Sequence, residues 1–203
     1  MKRFHYDLCV IGGAGHIGLP FALVFAHKGL NVAVYDINQS ALDVIGQGKV
    51  PFMEEGGDVL LADALSVKKL TLSSDPKIIA ASKNIVIAIG TPVDEFLDPE
   101  FKGIQNAFLN ILPYINNEQL LILRSTVYPG TTEWLAGFLK AKDRTPLISF
   151  CPERVVQGKA IAEILDLPQI VSGTTPGAEE AATKFFNFIG VEIVRLSPLE
   201  AEF

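Results

Sequence analysis

Leu8-Cys9-Val10-Ile11-Gly12-Gly13-Ala14-Gly15-His16-Ile17-Gly18-Leu19-Pro20 is the stretch that decides the fold. A strand-like run, Tyr6 to Ile11, enters a glycine-rich turn. A helical pattern, Ile17 to Lys28, leaves it, and Gly29 stops that pattern. Gly13, Gly15 and Gly18 have the spacing G-x-G-x-x-G between a strand and a helix, the context in which this spacing binds a dinucleotide. The first glycine permits a tight turn, the second lets backbone N–H groups approach a diphosphate, and the third lets the helix pack close to the sheet. The start of a helix adds unpaired N–H groups and a partial positive charge. His16 and Ile17 belong to the same phosphate-facing turn, with a solvent-facing first-turn side chain as the alternative for His16.

Working outward, the next strand, Asn31 to Tyr35, ends at Asp36, 18 residues past Gly18. A carboxylate there accepts hydrogen bonds from both hydroxyls of an adenosine ribose and repels a 2′-phosphate, so the pattern prefers NAD to NADP. The alternatives are an ordinary glycine turn with Asp36 as a strand-end residue, or a flavin or methyl donor held on the same scaffold. Ser40 to Ile45 begins another helix. Ile85 to Ile89, Leu120 to Leu123, Leu147 to Phe150, Gln169 to Val171 and Glu192 to Val194 read as further strands. Ile104 to Leu112, Thr132 to Leu139 and Pro176 to Phe188 are long enough for helices between them. Alternation of near-continuous apolar strands with helices predicts an α/β, doubly wound, mostly parallel sheet of Rossmann type. Ser197 before Pro198 reads as the cap of a final helix, so the expected division is an NAD-binding domain over 1–196 and the start of a connecting helix over 197–203.

Composition narrows the function. The chain has 203 residues, 49% of them hydrophobic and 20% charged, which is the make-up of a folded domain. Lys and Arg number 17 against 23 Asp and Glu, a net charge of −6, so neither nucleic acid nor an anionic membrane is an expected partner. Two cysteines, Cys9 and Cys151, and three histidines without ligand spacing give no metal site and no disulfide framework. The apolar run Leu19 to Ala26 is too short to span a bilayer, and the expected location is cytoplasmic.

Four segments in order, Gly13 to Pro20, Gly90-Thr91-Pro92-Val93, Ser125-Thr126-Val127-Tyr128-Pro129-Gly130-Thr131-Thr132 and Cys151-Pro152-Glu153-Arg154, resemble the UDP-glucose/GDP-mannose dehydrogenase family. The spelling Cys-Pro-Glu-Arg and Gln157 resemble its N-acetylmannosamine branch. The resemblance implies oxidation of a nucleotide sugar at C6 to a carboxylate, with two NAD⁺ reduced in succession and a cysteine carrying covalent intermediates. That cysteine lies in family members beyond the matched segments, so the fragment is expected to bind NAD and to be inactive alone. A UDP-sugar substrate and a homodimeric parent are the implied partners.

The same resemblance places Thr91, Pro92 and Ser125 on the nicotinamide side. It gives Thr126 a place there and the positioning of a catalytic water, and Glu153 an acid–base or water-orienting role in thioester hydrolysis. Residue by residue, the alternatives are a strand-end turn at Thr91-Pro92, backbone satisfaction by the Thr126 hydroxyl, and an ion pair of Glu153 with Arg154. Thr131 or Thr132, followed by Glu133, reads as a helix N-cap. Cys151 reads as an apolar strand-end residue rather than a nucleophile. Arg124 reads equally as a phosphate ligand or a surface side chain. Gly12 is an extra glycine expected to shift or bulge the strand end, and Ala41 stands where relatives often carry a basic residue. Two rival functions remain at this point: another hydroxyacid dehydrogenase, and a non-enzymatic NAD-binding module.

Overall fold

In β1 (Tyr6–Ile11) side chains alternate between two separate cores: Leu8 and Val10 enter one, Cys9 and Ile11 the other. A strand buried on both faces belongs in the middle of a parallel sheet. The computed structural model describes residues 4–90 and 101–203, with backbone alone for 101–104. Its elements run β1, α1 (Gly18–His27), β2 (Val32–Tyr35), α2 (Gln39–Gly46), α3 (Gly57–Ser66), β3 (Leu70–Ser73), α4 (Lys77–Ala80), β4 (Ser82–Ile87), α5 (Phe101–Ile111), β5 (Leu120–Leu123), α6 (Thr131–Lys140), β6 (Leu147–Phe150), α7 (Ala160–Asp166), β7 (Gln169–Val171), α8 (Pro176–Asn187), β8 (Ile193–Arg195) and α9 (Pro198–Glu202).

Six strands form one parallel sheet in the order β3-β2-β1-β4-β5-β6. The chain winds outward from β1 in one direction and then in the other, so the order reverses between β1 and β4 and opens a crevice at their carboxyl ends. β7 and β8 pair in parallel beside this sheet, held to β6 where Ser172 and Thr174 donate backbone N–H groups to the Phe150 and Ile148 carbonyls. α1 is buried from Gly18 to Ala26, because α3 and α7 cover it on the side away from the sheet. Phe21 and Phe25 of α1 meet Phe185 and Phe186 of α8 in an aromatic cluster. Such a helix is apolar all round without approaching the ~20 residues of a bilayer span. Among the described residues no helix is long and apolar enough to cross a membrane.

The doubly wound reading holds, with differences at the edges. β4 ends at Ile87, not Ile89, and β8 starts at Ile193. Gly12 does not bulge the sheet: it turns at a φ of +73°, its N–H reaches the Tyr35 carbonyl, and Ile11 stays in register with Tyr35. The cap of α6 is neither Thr131 nor Thr132. Gly130, in the left-handed region, takes the N-cap position, and Thr131 turns its hydroxyl back to the Tyr128 carbonyl. Ser197 caps α9 as expected, in a reciprocal box with Glu200.

Candidate functional site: the crevice at the carboxyl ends of β1, β2, β4 and β5

The glycine turn places its amides unequally. Gly12 and Gly13 donate to the Tyr35 carbonyl, Ala14 to Asp36 Oδ2 and Gly15 to the Gly12 carbonyl. The amides of His16, Ile17 and Gly18 have no acceptor among the described residues. The N-cap, Ile17, supplies no side-chain bond, and the first turn of α1 holds no acid. Pro20 removes a further donor by having no N–H. Three bare amides at a helix start leave a site for an anion that no described residue fills.

The glycines divide by what surrounds them. A Cβ on Gly18 would lie 2.7 Å from the Gly13 Cα, and one on Gly13 would lie 2.7 Å from the Val10 carbonyl oxygen. Those two are glycine because the protein's own backbone is there. A Cβ on Gly15 would meet only the Gly12 oxygen, at 3.4 Å. The space beyond Gly15 is open, which suits close approach by a ligand.

Asp36 stands half-buried at the end of β2. Its Oδ2 accepts from the Ala14 amide at 3.0 Å and its Oδ1 from the Asn38 amide at 2.9 Å. An ionised carboxylate offers about four acceptor positions, so two remain for a ligand's hydroxyls. Tyr35 beside it has its phenol pKa raised, by burial first and by the Asp36 charge second. Asp36, Ile37, Ile89, Phe108 and Ile111 line a cleft of ≈ 190 Å³ with Gly12 at its floor. Ile37 is 85% exposed there, an apolar side chain at the lip of an apolar slot. A larger hollow, ≈ 320 Å³, lies at the opposite, amino ends of the strands beside Asp7, Lys83 and Phe188, and none of the bare amides borders it.

Thr91 and Pro92 lie outside the described residues. Ser125 follows β5 and gives its hydroxyl hydrogen to the Ile89 carbonyl, and Thr126 is exposed next to it. Glu153 departs from the sequence reading. Its partner is Arg124, not Arg154. Arg124 Nε and Nη2 stand 2.8 and 2.7 Å from Glu153 Oε2, while the Arg154 and Val155 amides donate to Oε1 at 2.8 and 3.2 Å. The carboxylate thus accepts three hydrogen bonds, from Arg124 Nε and the two amides, with Nη2 beside it as an ion-pair contact, and the Arg154 side chain turns away to the Pro168 carbonyl. Nor is Arg124 on the surface. It is 0% exposed, its guanidinium lies between the rings of Phe21 and Phe186, 4.9 and 5.4 Å from their centroids, and Nη1 donates to the Cys151 carbonyl and to Gln169 Oε1. Cys9 and Cys151 are buried thiols, each pushed up to about 12 by burial, which makes neither a nucleophile. Among the described residues no group of His, Cys, Asp and Glu could hold a metal.

One contact has no signature in the local sequence. Glu202, at the end of α9, accepts from the Gly130 and Thr132 amides at 2.6 and 2.8 Å and from the Thr132 hydroxyl at 2.6 Å. A carboxylate 70 residues away caps α6.

A parallel sheet that reverses at β1/β4, bare amides at the first helix and an acid ending the second strand define a dinucleotide-binding domain of the doubly wound class. Residues 6–188 match the UDP-glucose/GDP-mannose dehydrogenase family, NAD binding domain, and the chain belongs to that family. It is 34% identical to an NDP-N-acetyl-D-galactosaminuronic acid dehydrogenase of Ralstonia nicotianae, over 86% of this chain and 43% of that protein. It is 32% identical to a UDP-N-acetyl-D-mannosamine dehydrogenase of Campylobacter jejuni, over 100% of this chain and 52% of that one. The solved UDP-D-ManNAc dehydrogenase from Pyrococcus horikoshii superposes with a TM-score of 0.89 at 28% identity, over 96% of this chain and 48% of that chain. The chain thus spans about half the length of the curated relatives it matches.

Proposed function

We propose that this chain is the cofactor half of a nucleotide-sugar 6-dehydrogenase that oxidises UDP-N-acetylmannosamine to its uronate with two NAD⁺. The observation that carries the cofactor reading is the trio of unpaired amides at His16, Ile17 and Gly18, beside the open space over Gly15. They hold the diphosphate. Asp36 keeps two acceptor positions for the adenosine ribose, and its charge repels a 2′-phosphate. The slot beside Ile37 takes the adenine. Thr91, Pro92 and Ser125 border the nicotinamide, and Thr126 also positions the water that completes the second oxidation. NAD⁺ supplies the hydride acceptor. Glu153, held by Arg124 and by the Arg154 and Val155 amides, has the acid–base or water-orienting role in thioester hydrolysis in this reading.

The thiol that carries the sugar comes from outside these residues, because burial keeps Cys9 and Cys151 protonated. In this reading 1–196 is the NAD-binding domain and 197–203 opens a connecting helix. The parent enzyme is a cytoplasmic homodimer that serves surface-polysaccharide synthesis. A second sugar, an NDP-N-acetylgalactosamine, is favoured by the Ralstonia relative. The test is NADH release by a protein carrying this domain, offered each sugar nucleotide in turn. Two NADH per UDP-N-acetylmannosamine is the expected stoichiometry. One NADH per sugar, or turnover of a hydroxyacid instead, overturns the proposal.

A further inference from the structure

Gly130 ends the turn before α6 at a φ of +90°, in the left-handed region that favours glycine. A glycine in the N-cap position has no side chain to accept from the first amides of the helix. Glu202 supplies the missing oxygens. Its Oε2 accepts from the Gly130 amide at 2.6 Å, and its Oε1 from the Thr132 amide and hydroxyl at 2.8 and 2.6 Å. Hydrogen bonds to a carboxylate are roughly twice as strong as neutral ones, and a carboxylate at a helix start also meets the positive end of the dipole. Glu202 has a firm base of its own. Ala201 beside it is buried in the core that α6 shares with β5 and β6, and the box of Ser197 and Glu200 closes the start of α9.

The loop of residues 124–130, between β5 and α6, is thereby held at both ends. At its start the Arg124 amide donates to the Ile87 carbonyl and the Ser125 hydroxyl to the Ile89 carbonyl, and in mid-loop Val127 is buried. At its close the hold is Glu202. Ser125, Val127 and Thr131 wall a small hollow whose other walls include Ile87, Ile89 and Phe108, and these three also wall the Asp36 cleft. The crevice therefore continues from Asp36 to this loop. A dinucleotide with its diphosphate on the start of α1 and its adenosine ribose at Asp36 carries its second nucleoside toward β4 and β5, where the loop stands.

We propose that Glu202 is a positioning residue for the nicotinamide side of the crevice: its grip on Gly130 and Thr132 sets the loop that carries Ser125 and Thr126 in place before the cofactor arrives. The role rests on the nicotinamide placement given under the proposed function. Glu202 borders neither hollow and acts through the loop alone. Without it, the turn closes on a glycine, the residue with the most backbone freedom, and the ordering of the loop is drawn from binding instead. In the same reading α9 opens the connecting helix, so these three hydrogen bonds join the start of that helix to the wall of the nicotinamide site.

The test is calorimetric titration of the 203-residue chain, as wild type, Glu202→Gln and Glu202→Ala, with NAD⁺ and with ADP, which has the adenosine and the diphosphate but no nicotinamide nucleoside. The lost cap bounds the effect, so Glu202→Ala is expected to bind NAD⁺ about three- to ten-fold more weakly than wild type. Glu202→Gln keeps one accepting oxygen and should lose about two- to three-fold. ADP should bind all three proteins alike, a selectivity that a general loss of stability would not produce. Should Glu202→Ala fail to fold, Glu202→Gln makes the same comparison. Unchanged NAD⁺ affinity in the variants, or an equal loss for NAD⁺ and ADP, overturns the positioning role while leaving the cofactor site intact. No binding of either ligand by wild type overturns the cofactor placement on which the role rests.

Discussion

Removing the charge of Glu153 is the most searching perturbation of this fold. Arg124 is 0% exposed and the Glu153 side chain 8%, so solvent screens their pairing little. Taking one partner from a buried ion pair leaves the other charge uncompensated and costs ~3–5 kcal/mol. Glu153→Ala also strips acceptors from the Arg154 and Val155 amides and should reach the upper part of that range. Glu153→Gln keeps one oxygen and should stay near the lower part. With a urea m-value of about 2 kcal/mol per M, the midpoint should fall by roughly 1.5–2.5 M. Circular dichroism gives the midpoint, and the fluorescence of the sole tryptophan, Trp134 in the first turn of α6, gives a second probe of the same transition. Arg124→Met with Glu153→Gln removes both charges and should recover part of the loss, a coupling the double-mutant cycle measures. A shift below about 0.5 kcal/mol for Glu153→Ala is what a surface substitution gives, and it would refute the buried pairing.

Three other outcomes follow from the same geometry. Gly15→Val should fold, since its Cβ meets only one oxygen at 3.4 Å, and yet lose NAD binding; Gly18→Ala, with its Cβ 2.7 Å from the Gly13 Cα, should instead lower the unfolding midpoint. Cys9 and Cys151 should ignore a disulfide reagent at about pH 8 until the chain is unfolded. Folding holds their protons up to about 12, whereas the unfolded thiols release them near the ordinary 9.0, so the native state binds more protons between those values and stability should drop as pH rises through them. Glu202→Ala should cost about 1–2 kcal/mol, as loss of a helix cap does, and speed amide exchange at Gly130 and Thr132; unchanged exchange there would contradict the capping role.

What the sequence revealed and what it concealed divide by range. Central strands showed themselves because burial on both faces demands unbroken apolar runs, as in Leu120–Leu123. β3, at the edge of the sheet, is Leu-Thr-Leu-Ser with only Leu70 buried, and its alternation runs over just four residues, the shortest stretch in which a period of two can be read. α7 has seven residues, too few for a helical period to show. The glycine turn was legible because its strand, glycine spacing and helix are contiguous residues, and Asp36 because it directly follows the second strand. The Ser197 cap was legible because its box closes within three residues. Arg124 was not, because its acceptors Glu153 and Gln169 lie 29 and 45 residues on. A charge read alone looks like surface. Thr132 matched a local cap pattern, but Gly130 could adopt a left-handed φ of +90° and the distant Glu202 supplied the oxygens.

Calorimetric titration of the 203-residue chain with NAD⁺ and with NADP⁺, at one pH and one salt concentration, tests the reading of the crevice most directly. The account predicts heat and saturation with NAD⁺ and at least about ten-fold weaker binding of NADP⁺, because the proposed site sets the Asp36 carboxylate against a 2′-phosphate. Tighter binding of NADP⁺, or no binding of either at millimolar concentration, would contradict it.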